Sequence, residues 1–348
     1  MRAIQAIQTD RPPELREVPE PAVGPGQVLI KITAAGLCHT DLSVTRPPDD
    51  VDCLSFSFPM TLGHECAGTI VDVGADARPL VRLGENVIVY APWGCGRCKM
   101  CAAGYENYCL DAASRTLNLP GLGRDGGCAD YMVVDRARHC IPIGDLDPVL
   151  AAPLTDAALT PYHAVKHSQA KLSEPGSVAV VIGVGGLGHL AIQFIKLLTP
   201  ATVVAVDCSP EHFDLAAAVG ADHCAPSGPA AVEMVAQLTH GFGAEVVFDM
   251  VASQETIDLG AKMTRVCGDW SIIGIGGGKA KVSFRVTPYE CQVFAPCWGT
   301  RADLYDVIAL AQRGAIDIRT EQHSLDDGIE AYRRLAKGKV LGRAVLVP

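Results

Sequence analysis

The run Ser177-Val-Ala-Val-Val-Ile-Gly183-Val-Gly185-Gly186-Leu187-Gly188 leads directly into the apolar-faced stretch 189–198. A strand with no polar alternation is buried on both faces, as in a parallel sheet. A helix that begins inside the following glycine turn must then cross one face of that sheet. The alternation continues. Residues 202–207 read as a strand, 210–221 as a helix, 244–252 as a strand, about 254–265 as a helix and 270–276 as a strand. The expected fold class is therefore α/β, with a doubly wound parallel sheet of Rossmann type over 156–294.

The glycines carry chemistry as well as topology. Gly183 permits a tight turn, Gly185 lets backbone approach a pyrophosphate, Gly186 follows in the same cofactor-binding turn, and Gly188 lets the helix pack closely. Leu187 lies in the same turn, and the helix N-terminus faces the anion. Asp207 ends the next strand, where a carboxylate accepts hydrogen bonds from the adenosine ribose and repels a 2′-phosphate. The expected dinucleotide is NAD; the competing role for Asp207 is to cap the following turn. Ile273 and Ile275 sit in the glycine-rich segment 273–278 after a later strand. They either border the nicotinamide or belong to an ordinary loop.

A second constraint is the spacing Cys95-x2-Cys98-x2-Cys101-x7-Cys109. Four thiolates on one tetrahedral ion leave no open position, so the expected group is a structural zinc stapling a lobe over about 92–112. An iron–sulfur cluster and four merely buried thiols are the rivals. The other cysteines, Cys53 among them, are read as small apolar fillers.

Residues 1–155 are β-rich, with strand-like runs at the start of the chain and at 28–36, 68–74, 86–92 and 129–135. The tail 295–348 holds two helical stretches and a last strand at 343–348. It is too short to stand alone, so it is expected to fold back onto residues 1–155 as one discontinuous domain. The net charge of -10 argues against nucleic acid or an anionic membrane as partner. No apolar run reaches membrane-spanning length, and the start carries no apolar targeting core, so a reducing cytoplasm is expected.

Two further islands, Gly36-Leu-Cys38-His39-Thr40-Asp41 and Gly63-His64-Glu65-x2-Gly68, complete a pattern. Together with the glycine turn, the four-cysteine run and Gly342-Arg343, they make the chain resemble the zinc-dependent medium-chain alcohol dehydrogenases. Residues 152–157, 160–163 and 298–301 resemble the bacterial NAD-dependent secondary-alcohol enzymes of that family. The resemblance implies a GroES-like catalytic domain, zinc as catalytic and structural ions (two per chain), and NAD. It implies a homodimer or homotetramer, with the strand-like run 282–286 at a sheet edge.

By that resemblance Cys38, His64 and Asp156 hold the catalytic zinc, leaving one open position. Many relatives have cysteine as the third ligand; here Asp156 stands there, with helix N-capping as its alternative role. Glu65 is a transient ligand, and Asp41 orients His64. Thr40 takes the alcohol proton and passes it to the nicotinamide ribose. Ser43 stands where relatives place a relay histidine, so either His39 or water finishes the relay. His39 and Arg343 also match positions that contact the pyrophosphate; for Arg343 the alternative is a solvated surface arginine. Ser43, Phe56, Leu122 and Trp298 are expected around the substrate, with small Ser43 enlarging the pocket for bulky or aryl ketones. The reaction implied is reversible hydride transfer between secondary alcohols and NAD. A polyol or sugar dehydrogenase and a non-catalytic zinc- and NAD-binding scaffold are the alternatives.

Overall fold

The computed structural model describes residues 1–45, 56–111 and 119–348. Cys53 and residue 112, the far end of the expected lobe, lie outside them. The chain divides into two units, Met1–Asp156 with Thr300–Pro348, and Ala157–Gly299.

The first unit is built on a seven-stranded sheet. Its order is Cys140–Pro142, Asn86–Val89, Glu65–Val73, Val28–Gly36, Arg343–Val347 and Thr320–Ser324, with Tyr131–Val134 also paired to Val28–Gly36. Strand Val28–Gly36 is the hub because both its edges find partners and its apolar side chains are buried, among them Ile30 and Ile32. The last strand of the chain lies antiparallel beside it, with Val345 opposite Gly36, and Gly36 opposite Glu65 on the other side. This register brings residue 343 to Glu65 across a gap of 278 residues in sequence. A smaller sheet orders Glu14–Glu17, Arg2–Ala6 and Met60–Thr61. Helix Arg301–Gln312 starts at a capping box, Thr300 with Asp303, that satisfies two first-turn amides.

The second unit is a six-stranded sheet in the order His223–Pro226, Thr202–Asp207, Val178–Ile182, Ala244–Asp249, Thr264–Ile272, Gln292–Phe294. All its pairs are parallel. The chain runs outward from Val178–Ile182 on one side and then restarts on the other. The switch point therefore lies beyond the carboxyl ends of Val178–Ile182 and Ala244–Asp249, where ligands bind in such sheets. Val180, Val204, Val206, Val247 and Trp270 form its core.

One expectation fails here. Residues 282–286 are turns and bends, and the edge strand is Gln292–Phe294 instead. The amides of Val286 and Thr287 both donate to the Ser283 carbonyl, and the Thr287 hydroxyl accepts from the Ser283 amide. Local side-chain and turn bonds thus replace a ladder. Val282, Phe284 and Val286 stay exposed, and Phe284 packs on Tyr289. Among the described residues no helix is long and apolar enough to cross a membrane.

Candidate metal centres and coenzyme site

Cys38, His64 and Asp156 meet in the first unit. Cys38 is the extended residue between strand Val28–Gly36 and helix His39–Val44, and its amide donates to Asp41 Oδ2 at 3.0 Å. His64 follows Gly63, whose φ of +98° is open to glycine and whose added Cβ would meet Cys128 Sγ at 2.6 Å. Asp156 follows the short turn Ala152–Thr155. It does not cap the next helix, whose N-cap is Ala158. Cys38 Sγ and His64 Nε2 each lie 3.6 Å from Asp156 Oδ2, and all three side chains are buried. Ligands 2.0–2.3 Å from one tetrahedral ion stand roughly 3.3–3.8 Å apart, so the spacing fits zinc.

Burial pulls the His64 pKa down, but the Asp41 and Asp156 carboxylates outweigh it and hold the imidazole well above its usual value. Asp41 Oδ1 sits 3.1 Å from His64 Nδ1, and Tyr332 donates to Asp41 Oδ2 at 3.1 Å. This carboxylate–imidazole pair fixes the ring so that Nε2 faces Asp156. Tyr332 was not legible in the sequence, since nothing marks a helix tyrosine as a partner of Asp41.

Arg343 is buried, which excludes the solvated surface role. Its Nε and Nη2 bind Glu65 Oε2 and Oε1 at 2.8 and 2.6 Å, and Nη2 reaches Asp156 Oδ2 at 3.3 Å. Glu65, expected as a transient ligand, is held in that fork and stands outside the trio of possible ligands. Gly36 makes the space, because a Cβ there would fall 1.9 Å from Glu65 Oε2. The fork places a guanidinium beside two carboxylates, which offsets their mutual repulsion in a dry site.

Thr40 is half-buried, with Oγ1 3.4 Å from Cys38 Sγ. His39 is exposed beside it. Ser43 donates to the Thr40 carbonyl at 2.7 Å, a bond within its own helix. Leu122 is buried at 1% exposure, tucked in by the turn that pairs Leu119 with Leu122. Phe56 is half-buried in the first unit, and Trp298 belongs to the second. Trp298 has φ of +50°, a costly conformation for a bulky residue and a pointer to a constrained site.

The four lobe thiols converge. Cys95 and Cys101 sulfurs are 4.0 Å apart, and those of Cys98 and Cys109 are 3.9 Å apart, close to the edge of about 3.8 Å for a tetrahedral zinc–thiolate site. Backbone amides aim at the sulfurs: Cys101 and Leu110 at Cys98, and Cys95 at Cys109. The Cys101 and Leu110 amides pull the Cys98 thiol down, while burial pushes the Cys101 thiol up. All four thiols are taken up at this closed site, which leaves no position for a reacting oxygen.

Within the lobe, Glu106 is gripped by Arg138 at 3.0 Å and Arg301 at 3.2 Å. His139 stacks on Trp93, ring centroids 5.6 Å apart, and is fully buried. Burial first, then the charges of Arg138, Arg301 and Arg136, push its pKa well below the usual value. The Glu106 carboxylate 3.8 Å away is already neutralised by the two guanidiniums. The unfolded chain therefore takes up this proton first. Stability from His139 is full above about pH 6.5 and falls below it by up to about 1.4 kcal/mol per pH unit. Urea unfolding at pH 7.5 and 5.5 should show a loss about 1 kcal/mol smaller in His139→Phe than in the wild type. Equal losses would place the acid sensitivity elsewhere.

In the second unit, Gly183 has φ of +89° and its amide donates to the Val206 carbonyl at 2.7 Å. A Cβ on Gly188 would strike the Gly183 carbonyl at 1.9 Å, while one on Gly185 would meet open space. The turn is thus closed toward the sheet and open outward. Leu187, the N-cap of helix Gly188–Leu198, supplies no side-chain acceptor to the first-turn amides. These features fit a pyrophosphate cradle. Asp207 Oδ2 accepts from the Val184 amide at 2.7 Å and Oδ1 from the Ser209 amide at 2.9 Å. His212 Nδ1 lies 3.0 Å from Asp207 Oδ2, a neighbour the sequence reading missed. Burial pushes Asp207 up, and His212 with the two amides holds it below the ordinary carboxylate range. Ile273 is buried and Ile275 is exposed, just past strand Thr264–Ile272.

Residues 24–145 match the alcohol dehydrogenase GroES-like domain, and residues 186–313 match the zinc-binding dehydrogenase family. D-arabinose 1-dehydrogenase (NADP(+)) of Saccharolobus solfataricus is 35% identical over 95% of this chain and 92% of its own length. An NAD-dependent alcohol dehydrogenase of Sulfurisphaera tokodaii is 32% identical with all of both chains covered. The crystal structure of the alcohol dehydrogenase of the archaeon Aeropyrum pernix superposes with a TM-score of 0.92 at 35% identity, again over both whole chains. With two metal-ligand clusters, a dinucleotide-type turn and identity of this extent, the chain belongs to the zinc-type medium-chain alcohol dehydrogenase family.

Proposed function

We propose that this chain catalyses reversible hydride transfer between a secondary alcohol and NAD, with the matching ketone as the other partner. The observation that carries the reading is the buried trio Cys38, His64 and Asp156, three convergent donors that leave one coordination position for a substrate oxygen. The chemistry supplied by the bound groups is Lewis acidity from zinc and hydride exchange from NAD.

The chain's own residues do the rest. Asp41 holds His64 Nδ1, so that Nε2 stays aimed at the trio. Arg343 restrains Glu65, keeping that carboxylate from the open position. The Thr40 hydroxyl, beside Cys38, is placed to accept the alcohol proton. Ser43 turns its own hydroxyl onto the Thr40 carbonyl, so the proton leaves through exposed His39 or through water. Asp207 favours NAD by repelling a 2′-phosphate. Phe56, half-buried in the first unit, gives an apolar wall, and small Ser43 in the same unit leaves room for aryl ketones.

A sugar or polyol substrate is the second reading, favoured by the 35% identity to a D-arabinose 1-dehydrogenase. A panel of aliphatic and aryl secondary alcohols, polyols and D-arabinose, each with NAD and NADP, separates the two by nicotinamide absorbance. Secondary alcohols with NAD should give the highest kcat/KM, and Ser43→Phe should lower the aryl-ketone rate relative to acetone. D-arabinose with NADP as the best pair would overturn the reading.

The reading also includes a homodimer or homotetramer, supported by exposed Val282, Phe284, Val286 and Tyr289 on one segment. It places the chain in the cytoplasm, supported by described cysteines that are all free of disulfides.

A further inference from the structure

Asp207 alone would make the coenzyme choice insensitive to pH, because its carboxylate is ionised throughout the neutral range. It is not alone. His212, in the first turn of helix Glu211–Ala218, sets Nδ1 3.0 Å from Asp207 Oδ2. Both Asp207 oxygens already accept a backbone N–H, from Val184 and Ser209, so the carboxylate cannot swing away from the imidazole. His212 is partly buried, its side chain 14% exposed.

We propose that His212 is the coenzyme-selectivity switch of this chain: neutral, it leaves Asp207 to exclude a 2′-phosphate, and protonated, it makes the pair accept one. This deepens the NAD reading above and rests on it. With neutral imidazole the pair carries one negative charge where the 2′-substituent lies. With imidazolium the pair carries none, and Nε2–H becomes a second donor. A phosphate gains on both counts, whereas the uncharged 2′-hydroxyl of NAD gains little from the change in charge.

The surroundings support a switch in the working range. The contact with Asp207, then the Asp207 and Glu211 charges, raise the His212 pKa against its burial. The helix packs on strands Thr202–Asp207 and His223–Pro226 and on helix Gly188–Leu198. The titratable groups on those elements, besides Asp207, are His223, Cys224, His189 and Lys196. Lys196 is paired with Asp222 at 3.0 Å, His189 Nδ1 lies 2.9 Å from the Gly185 carbonyl, and Cys224 donates to the Phe213 carbonyl. Asp214 lies on the helix itself and is exposed. Asp207 remains the carboxylate in contact with the ring.

The test is direct binding of NADH and NADPH to the full chain between pH 8.5 and 6.0, followed by fluorescence. NADH affinity should stay nearly level, while NADPH should tighten by about tenfold or more as the pH falls. The 2′-phosphate takes up a proton of its own near pH 6. His212→Gln keeps that contribution and loses the protein's, so its NADPH curve should be flatter and weaker. His212→Lys, a permanent cation, should bind NADPH tightly across the range. Parallel NADPH curves for wild type and His212→Gln, with NADH still bound, would overturn the switch alone. Absence of NADH binding at every pH would overturn the coenzyme reading and the switch with it.

Discussion

Replacing Asp156 by asparagine is expected to lower turnover by on the order of 10³-fold or more while leaving the fold in place, because Lewis acidity worth several kcal/mol is lost with the ion. Asparagine keeps the shape of the side chain and loses its charge. Cys38 and His64 then remain as two donors, too few to hold a tetrahedral ion firmly. Arg343 retains its two bonds to Glu65, so no buried guanidinium is orphaned. The contrast is His64→Ala. That change takes the imidazole from Oδ1 of the buried Asp41 carboxylate, leaving the Cys38 amide and Tyr332 on Oδ2, and it should cost stability as well as activity. A D156N variant with near wild-type turnover would remove Asp156 from the metal site.

Cys101→Ser is expected to act the other way, on stability before chemistry. The Cys101 sulfur is buried under Gly94, whose added Cβ would lie 2.7 Å away, and it faces Cys95 at 4.0 Å. A serine hydroxyl ligates zinc poorly, so the lobe should lose its ion. Structural zinc binding is worth roughly 10 kcal/mol or more in small peptides. Here the lobe is also tied down through Glu106 by Arg138 and Arg301, so the loss should be smaller, about 3 kcal/mol. Urea unfolding would measure it, and residual activity per folded chain should stay close to wild type. A stable Cys101→Ser chain that had lost turnover alone would overturn the division between the two clusters.

Much of this was legible in the sequence, for a physical reason. The glycine turn and the four-cysteine run are local patterns whose geometry is set within a few residues. Cys38 and His64 were legible as islands, and Asp156 came only through the family resemblance. What escaped depends on register between distant strands. The Arg343–Glu65 fork exists because Gly36 is flanked by Val345 and Glu65, and no local pattern announces that neighbourhood. Arg343 therefore carried no sign of its bond to Glu65. Tyr332 reaches Asp41 from a helix 291 residues away. Residues 282–286 alternate apolar and polar like a strand, yet Ser283 and Thr287 close a turn there. His212 was hidden differently. It lies close to Asp207 in sequence, but a histidine in a helix first turn carries no mark of its partner.

The central claim is that one closed cysteine cluster holds structure and one open mixed cluster performs chemistry. Zinc content per folded chain, measured on wild type, Asp156→Asn and Cys101→Ser alongside turnover, tests it most directly. About two ions are expected in the wild type and about one in each variant, with turnover lost in Asp156→Asn and kept in Cys101→Ser. One ion in the wild type, unchanged in Asp156→Asn, would contradict it.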